Sequence, residues 1–367
     1  MEENAMTAAH STRMERLRAG LERAGLEGAL ISRPQHFFYF TGCLPGKDPH
    51  FLLVRGDRTA AVAPAPLAGV TTYPYSAYDI QRGWSAPDNA AAALSEALAG
   101  MPPLRRVGIE AAHLGALFAA RLEAKGGEAV HIQNLLWETR KIRDAGEIAQ
   151  IERNVAANDR IFALFRAALR PGVSEYELWS LAQRALCEAN GGPAVLEADL
   201  GVGERGTRPD AKPGPHVFAA GDAVFLDLYS ATRGYYADTT RTFTPAGAKP
   251  RQREVHAVLR AALAAGEEQL RAFTRACDID RAVRGVIERA GYGDNFGHHS
   301  GHAYNFFQQD KPYFIPAETT PIEAGMVVTL EPGIYLPGWG GMRLERNYLV
   351  GETGARVLDR YPLDLEG

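Results

Sequence analysis

The sequence predicts two domains, an α/β unit followed by a larger α+β unit assembled from two similar rounds of helices and strands. Three observations carry this. Before residue 136, strand-like and helical patterns alternate; at Asp144 the texture changes to long capped helices; and beyond it the order helix, helix, strands occurs twice. We place the first domain at 11–136 and the second at 140–367 of the 367 residues.

The elements follow in order. "TRMERLRAGLERAGL" has helical spacing, "GALISR" is an apolar strand-like run, and in "FLLVRGDRTAAVAPA" Arg-Gly-Asp-Arg separates two strand-like runs as a hairpin turn would. "RRVGIE" and "LGALFAARLEAKGG" repeat the strand-then-helix theme. Asp144 and Glu147 have capping-box spacing, and Ile148, Ile151, Val155, Phe162, Phe165 and Leu169 follow at helical intervals until "RPG". Ser174 and Glu177 repeat the box, and Gly191-Gly192-Pro193 ends the second helix. Strand-like "AVFLDLYS" and "GYYADTTRTFT" come next. The second round comprises helical segments near 251–272 and 279–290, then "GMVVTLEPGIYL" and "MRLERNYLV".

Composition excludes several classes. Hydrophobic residues are 46% and charged residues 23%, an ordinary globular balance, and the net charge of −4 is spread without like-charged blocks, which argues against a nucleic-acid partner. No apolar run has the length of a signal peptide core or a membrane span, so a cytoplasmic protein with no membrane partner is expected. Cys43, Cys187 and Cys277 lack C-x-x-C spacing and read as small core residues of a reducing compartment. Residues 1 to about 10 read as loosely ordered.

The chemistry lies in the carboxylates. Asp227 and Asp238 are symmetric about the midpoint between Thr232 and Arg233, beside Gly234. A regular hairpin would set them directly opposite each other, with Cβ atoms roughly 4.5–5.5 Å apart, where like charges destabilise unless neutralised. Glu331 and Glu345 repeat the pattern, symmetric about Gly338. Near them in sequence, "GHHSGH" gathers three of the ten histidines. Each acid alone would read as a solvated strand residue; four acids in two strand pairs with an imidazole call for a divalent cation. The charge is too great for one ion, and two-ion sites hold their metals about 3.5–4 Å apart.

Asp227, Asp238 in "DTTRTF", His302 in "HHSGH", Glu331 in "LEPGIY" and Glu345 in "MRLER" resemble the five metal ligands of the pita-bread metallopeptidases, family M24. The resemblance is to the Xaa-Pro dipeptidase (prolidase) and aminopeptidase P branch, whose catalytic domain follows a creatinase-like α/β domain. "RKIRDAGEIAQI" is similar to the segment that opens that catalytic domain. The resemblance implies two divalent ions, Mn²⁺ favoured with Co²⁺ or Zn²⁺ as alternatives. Asp227 and Asp238 would serve one ion, Asp238 and Glu345 would bridge, and His302 and Glu331 would complete the other. A metal-bridging hydroxide would attack the carbonyl before proline, Glu331 relaying its proton. His298 would hydrogen-bond the oxyanion and Arg343 would orient the carboxylates, while His299 matches nothing and reads as a surface-loop residue. A small peptide substrate and a homodimer are further implications.

The chain departs from the family pattern at two positions. Gln309 stands where a histidine usually follows the ligand histidine by seven residues, and Asp210, in "PDAKP", where one usually precedes the first aspartate by seventeen. Both are read as substrate-binding replacements, Gln309 a donor to a carbonyl or carboxylate and Asp210 an acceptor. The altered pocket leaves open cleavage of longer Xaa-Pro peptides, a different hydrolase or lyase reaction on a small substrate, and binding without turnover.

Overall fold

A computed structural model describes residues 8–81 and 84–365, and these divide into two compact units between Lys141 and Ile142. Of the loosely ordered start, residues 1–7 lie outside the described residues, while Ala8 to His10 are already helical.

The first unit runs α1 (Ala8–Arg23), β1 (Gly28–Ile31), α2 (Pro34–Thr41), β2 (Phe51–Arg55), β3 (Arg58–Ala63), β4 (Thr71–Pro74), the short pair β5 (Tyr78–Asp79) and β6 (Trp84–Ser85), α3 (Ala86–Gly100), β7 (Arg106–Ile109), α4 (Ala116–Glu123), β8 (Glu128–His131) and α5 (Gln133–Arg140). Six strands form one mixed sheet in the order β4-β3-β2-β1-β7-β8. The Arg-Gly-Asp-Arg segment is its β2–β3 hairpin turn, with Arg55 paired to Arg58. Beneath the sheet Glu110 is buried, its carboxylate accepting from the backbone N–H groups of Ser32 and Arg33, both at 2.8 Å, and from the His36 ring. Arg140 Nε donates to the other His36 nitrogen at 3.0 Å, which fixes the ring as the neutral Nδ1–H tautomer. His36→Ala should therefore strip a buried carboxylate of its imidazole partner. We expect a loss of roughly 1–3 kcal/mol from this unit, read as an earlier first transition in urea; an unshifted curve would show the cluster to be dispensable.

The second unit contains α6 (Ala145–Ala168), α7 (Glu175–Asn190), β9 (Val195–Val202), β10 (Val224–Thr232) and β11 (Tyr235–Phe243), then α8 (Pro250–Glu267), α9 (Ala276–Arg289), β12 (His302–Ala303), β13 (Asp310–Tyr313), β14 (Val327–Leu330), β15 (Gly333–Leu336), β16 (Gly340–Arg343), β17 (Arg346–Val350) and β18 (Ala355–Val357). Two helices precede each set of strands, the duplicated order expected. Both capping boxes form: Asp144 with Glu147 opens α6 and Ser174 with Glu177 opens α7. The antiparallel sheet β11-β10-β9 lays alternate residues Val224, Leu226 and Leu228 against Phe162 and Phe165 of α6 and Leu178 and Leu186 of α7. Strand alternation sends the intervening Phe225, Asp227 and Tyr229 to the opposite face. The second round builds the sheet β13-β12-β14-β17-β18 and the ladder β15-β16.

Cys277 is buried, but Cys43 and Cys187 are only half-buried, so two of the three cysteines are not the core residues expected. Among the described residues no helix is long and apolar enough to cross a membrane.

Candidate metal centre

Asp227 and Asp238 share the site face of β10 and β11, but not as a directly opposed pair. Thr232 pairs with Tyr235, which centres a two-residue turn on Arg233 and Gly234, both at positive φ (48° and 82°). Asp227 consequently faces Thr240, and Asp238 faces Tyr229. The acids are diagonal neighbours, and an offset of two residues keeps them on one face.

Glu331 and Glu345 have the symmetry expected about Gly338, since Leu330 pairs with Arg346 and Gly333 with Arg343. They stand in the break between those two ladders. Their backbone N–H groups are therefore free to bond elsewhere: Glu331 donates to the Ser300 carbonyl at 2.9 Å and Glu345 to the Thr240 carbonyl at 3.1 Å. These bonds bring the second pair onto β11 and the histidine segment. His302 starts β12, and its Nδ1–H donates to the Ala303 carbonyl at 2.9 Å, leaving the Nε2 lone pair aimed inward.

The result is a buried cluster. His302 Nε2 lies 3.6 Å from Asp238 Oδ2 and 3.4 Å from Glu331 Oε1. Asp227, Asp238, His302 and Glu345 are 1–2% exposed and Glu331 7%. Asp227 Oδ1, both oxygens of Asp238, Glu331 Oε1 and Glu345 Oε1 are buried without a hydrogen-bond partner. Buried polar atoms are ordinarily paired, and several unpaired carboxylate oxygens buried together beside an imidazole lone pair fit a cation's coordination shell. Burial, reinforced by the neighbouring acids, raises the pKa of Asp227 and pushes those of Asp238 and Glu345 well above the carboxylate range. The residues present thus fit divalent metal: two triads, Asp238 with His302 and Glu345, and His299 with His302 and Glu331, each offer donor atoms within 4.8 Å of one another.

Arg343 is buried beside the acids. Its Nη2 donates to Asp227, its Nη1 to the Tyr335 hydroxyl at 3.0 Å and the Pro209 carbonyl at 3.2 Å, and its Nε to Thr240 Oγ1 at 3.1 Å. Thr240 in turn donates to Glu345 Oε2 at 3.0 Å. One guanidinium thereby spans both acid pairs. His298 has both ring nitrogens engaged, Nδ1 with the His299 carbonyl at 2.8 Å and Nε2 with the Tyr335 hydroxyl at 3.0 Å, and burial pushes its pKa down to about 4. It lies 4.0 Å from Glu331.

Two expected site residues are not drawn into the cluster. Asp210 has a side chain 67% exposed and an ion pair with Arg208 at 3.3 Å, on a cavity of about 330 Å³ that Lys212 also lines. Gln309 is exposed just before β13. Conversely, His299 is not the surface-loop residue expected: its Nε2 is buried and lies 3.0 Å from Glu331 Oε1. Burial alone would raise the Glu331 pKa and lower that of His299, and their mutual attraction reverses both. Sequence reasoning also passed over Asp199, which pairs with Asp227 across β9 and β10, accepts from Lys212 at 2.6 Å and takes the Tyr229 hydroxyl hydrogen bond. Its place opposite Asp227 is set by a register that only the folded sheet reveals.

A cation-demanding acid cluster on a twice-repeated frame of helices and strands is the architecture of a pita-bread metalloenzyme. The chain belongs to metallopeptidase family M24, whose model matches residues 149–352, preceded by a creatinase/prolidase N-terminal domain matched over residues 13–142. It is 30% identical over 361 residues to a putative dipeptidase, YkvY, of Bacillus subtilis, covering 96% of this chain and 99% of that one. It is 24% identical to an Xaa-Pro dipeptidase of Pyrococcus furiosus, with 96% and 99% covered. The fold superposes on that of an Xaa-Pro dipeptidase from Bacillus anthracis with a TM-score of 0.87, at 23% identity over 97% of this chain and 99% of the other.

Proposed function

We propose that this chain hydrolyses the Xaa-Pro peptide bond, chiefly in dipeptides, using two divalent ions held by Asp227, Asp238, His302, Glu331 and Glu345. The observation that carries the reading is the set of five buried carboxylate oxygens, on Asp227, Asp238, Glu331 and Glu345, without hydrogen-bond partners, with His302 Nε2 3.6 Å from Asp238 and 3.4 Å from Glu331. The Xaa-Pro class is drawn from the relatives that bear that name. Divalent ions bound there supply Lewis acidity and acidify water enough for attack near neutrality.

The chain's own residues do the rest. Glu331, the least buried of the four acids, accepts the proton of the attacking water and returns it to the proline nitrogen, a leaving amine that needs protonation. Arg343 holds Asp227 and, through Thr240, Glu345 in fixed orientation. The Arg343–Tyr335–His298 chain sets the His298 ring beside Glu331, where it reaches an oxyanion by exchanging one of its two present bonds. Asp210 and Gln309, which the structure leaves outside the cluster, are assigned no step in this reading. Because the proline nitrogen carries no N–H, grip through that group is unavailable, and polarising the carbonyl directly does not need it.

The test compares Xaa-Pro dipeptides, Xaa-Pro-Xaa tripeptides and non-proline dipeptides, using chelator-stripped protein before and after metal is restored. Metal-restored cleavage confined to Xaa-Pro dipeptides is expected. The exposure of Asp210 and Gln309 favours one second reading, another reaction on a small substrate. Metal-loaded protein that cleaves none of the three classes would overturn the first reading in favour of that one.

A further inference from the structure

The imidazole of His299 is unassigned by the five-donor set. It follows His298, whose ring nitrogens are both satisfied, yet its own Nε2 is buried and makes no hydrogen bond. Glu331 Oε1 lies 3.0 Å from it and also lacks a hydrogen bond, so the two are in contact without the alignment that a donated proton would give. His302 Nε2 lies 3.4 Å from the same oxygen, and the three donor atoms all fall within 4.8 Å of one another.

These separations have a simple geometric meaning. Ligands about 2.0–2.2 Å from one ion are separated by about 2.8–3.1 Å along an octahedral edge and about 3.3–3.6 Å along a tetrahedral one. The 3.0 Å contact matches an octahedral edge and the 3.4 Å contact a tetrahedral one; a proton on His299 Nε2 would also draw it to Glu331, and the metal titration below separates the two cases. The His299 ring is also held in place from two sides, edge-on to His302 at 5.3 Å and to Tyr313 at 5.6 Å between ring centroids. A ring so fixed loses little freedom on ligation.

We infer that His299 is an additional ligand, giving one ion of the centre a donor set of two imidazoles and a carboxylate: His299, His302 and Glu331. The inference rests on the metal centre proposed above. Its consequence is chemical. An ion with two nitrogen donors is biased toward Co²⁺, Zn²⁺ or Fe²⁺ and away from Mn²⁺, which favours oxygen. The two positions of the centre are then unequal, one nitrogen-rich and one carboxylate-rich.

The experiment reads metal binding and not turnover. Chelator-stripped wild-type protein and His299→Ala are titrated with Co²⁺ and, separately, Mn²⁺, following heat and the visible d–d absorption of cobalt. His299→Gln is carried alongside, since it keeps the bulk of the ring, and the melting temperature of each metal-free variant verifies folding. We expect the wild type to take up two ions, and both variants to lose roughly tenfold or more in Co²⁺ affinity at one position only, with a changed cobalt spectrum and a much smaller loss for Mn²⁺. Two Co²⁺ affinities and a spectrum identical to wild type in either folded variant would overturn the inference while leaving the five-donor centre standing. A wild type that binds no ion would overturn both.

Discussion

Asp238→Ala should abolish activity and metal uptake together. Asp238 is 1% exposed, and both its carboxylate oxygens lack hydrogen-bond partners while His302 Nε2 lies 3.6 Å away. Every polar valence of the side chain is therefore available to cations. Removing a member of a site that works as a unit forfeits nearly all of its effect, so we expect kcat/KM to fall on the order of 10³-fold or more. Elemental analysis of the dialysed variant should find fewer than two ions per chain. Near-normal hydrolysis with two ions retained would sink the two-metal reading.

Chelation should cost the second unit much of its stability, and the cost should grow with pH. An ion present at a thousand times its dissociation constant contributes about 4 kcal/mol, which for a unit of this size is roughly 8–16 °C in melting temperature per ion. The sign of the pH effect follows from Asp238, whose buried carboxyl is raised well above its ordinary value. Between the ordinary and raised values the native state binds the proton that the unfolded state has lost, so this contribution declines as pH rises through that window. Asp227 and Glu345 act in the same sense. Glu331, held low, acts in the opposite one, as do the imidazoles of His298 and His302, both pushed down to about 4. Above about pH 6.5 the His298 and His302 imidazoles are neutral in both states and drop out, while His299, raised by Glu331, acts in the same sense as Asp238. Asp238→Asn isolates the group: in chelated protein it should melt above the wild type, by a margin that widens with pH. With metal restored the order should invert. A chelated Asp238→Asn protein that melts below wild type across the range would show the acid cluster to be self-sufficient without cations.

The sequence made most elements legible, because helices, caps and turns are written locally. The Asp144 and Ser174 boxes form as spaced, and the Arg-Gly-Asp-Arg turn closes where the flanking runs meet. The Asp227–Asp238 hairpin was misread by one step, since positive φ at Arg233 and Gly234 moves the turn centre, and the shared face survives only because that step changes the pairing by two residues. What sequence could not supply was contact between distant segments. His299 takes its meaning from Glu331, Asp199 from its place across from Asp227, and Tyr335 from lying between Arg343 and His298. None of these has a local spacing to announce it. Asp210 and Gln309 show the converse: a position aligned by motif does not dictate where its side chain turns.

The two acid pairs come from separate rounds of the duplicated unit, the first from the β10–β11 hairpin and the second from the break between the β14–β17 and β15–β16 ladders. The first round supplies only Asp227 and Asp238, and about a hundred residues of chain separate them from Glu331. On the proposed reading, an ion shared by Asp227 and Asp238 therefore cannot nucleate collapse of the first round as it emerges, because the donors that complete its shell come from the second. Filling of that position would then follow assembly of the second unit. Which ion is acquired reflects the free pool that the assembled apoprotein meets, and not the order in which its donors were synthesised.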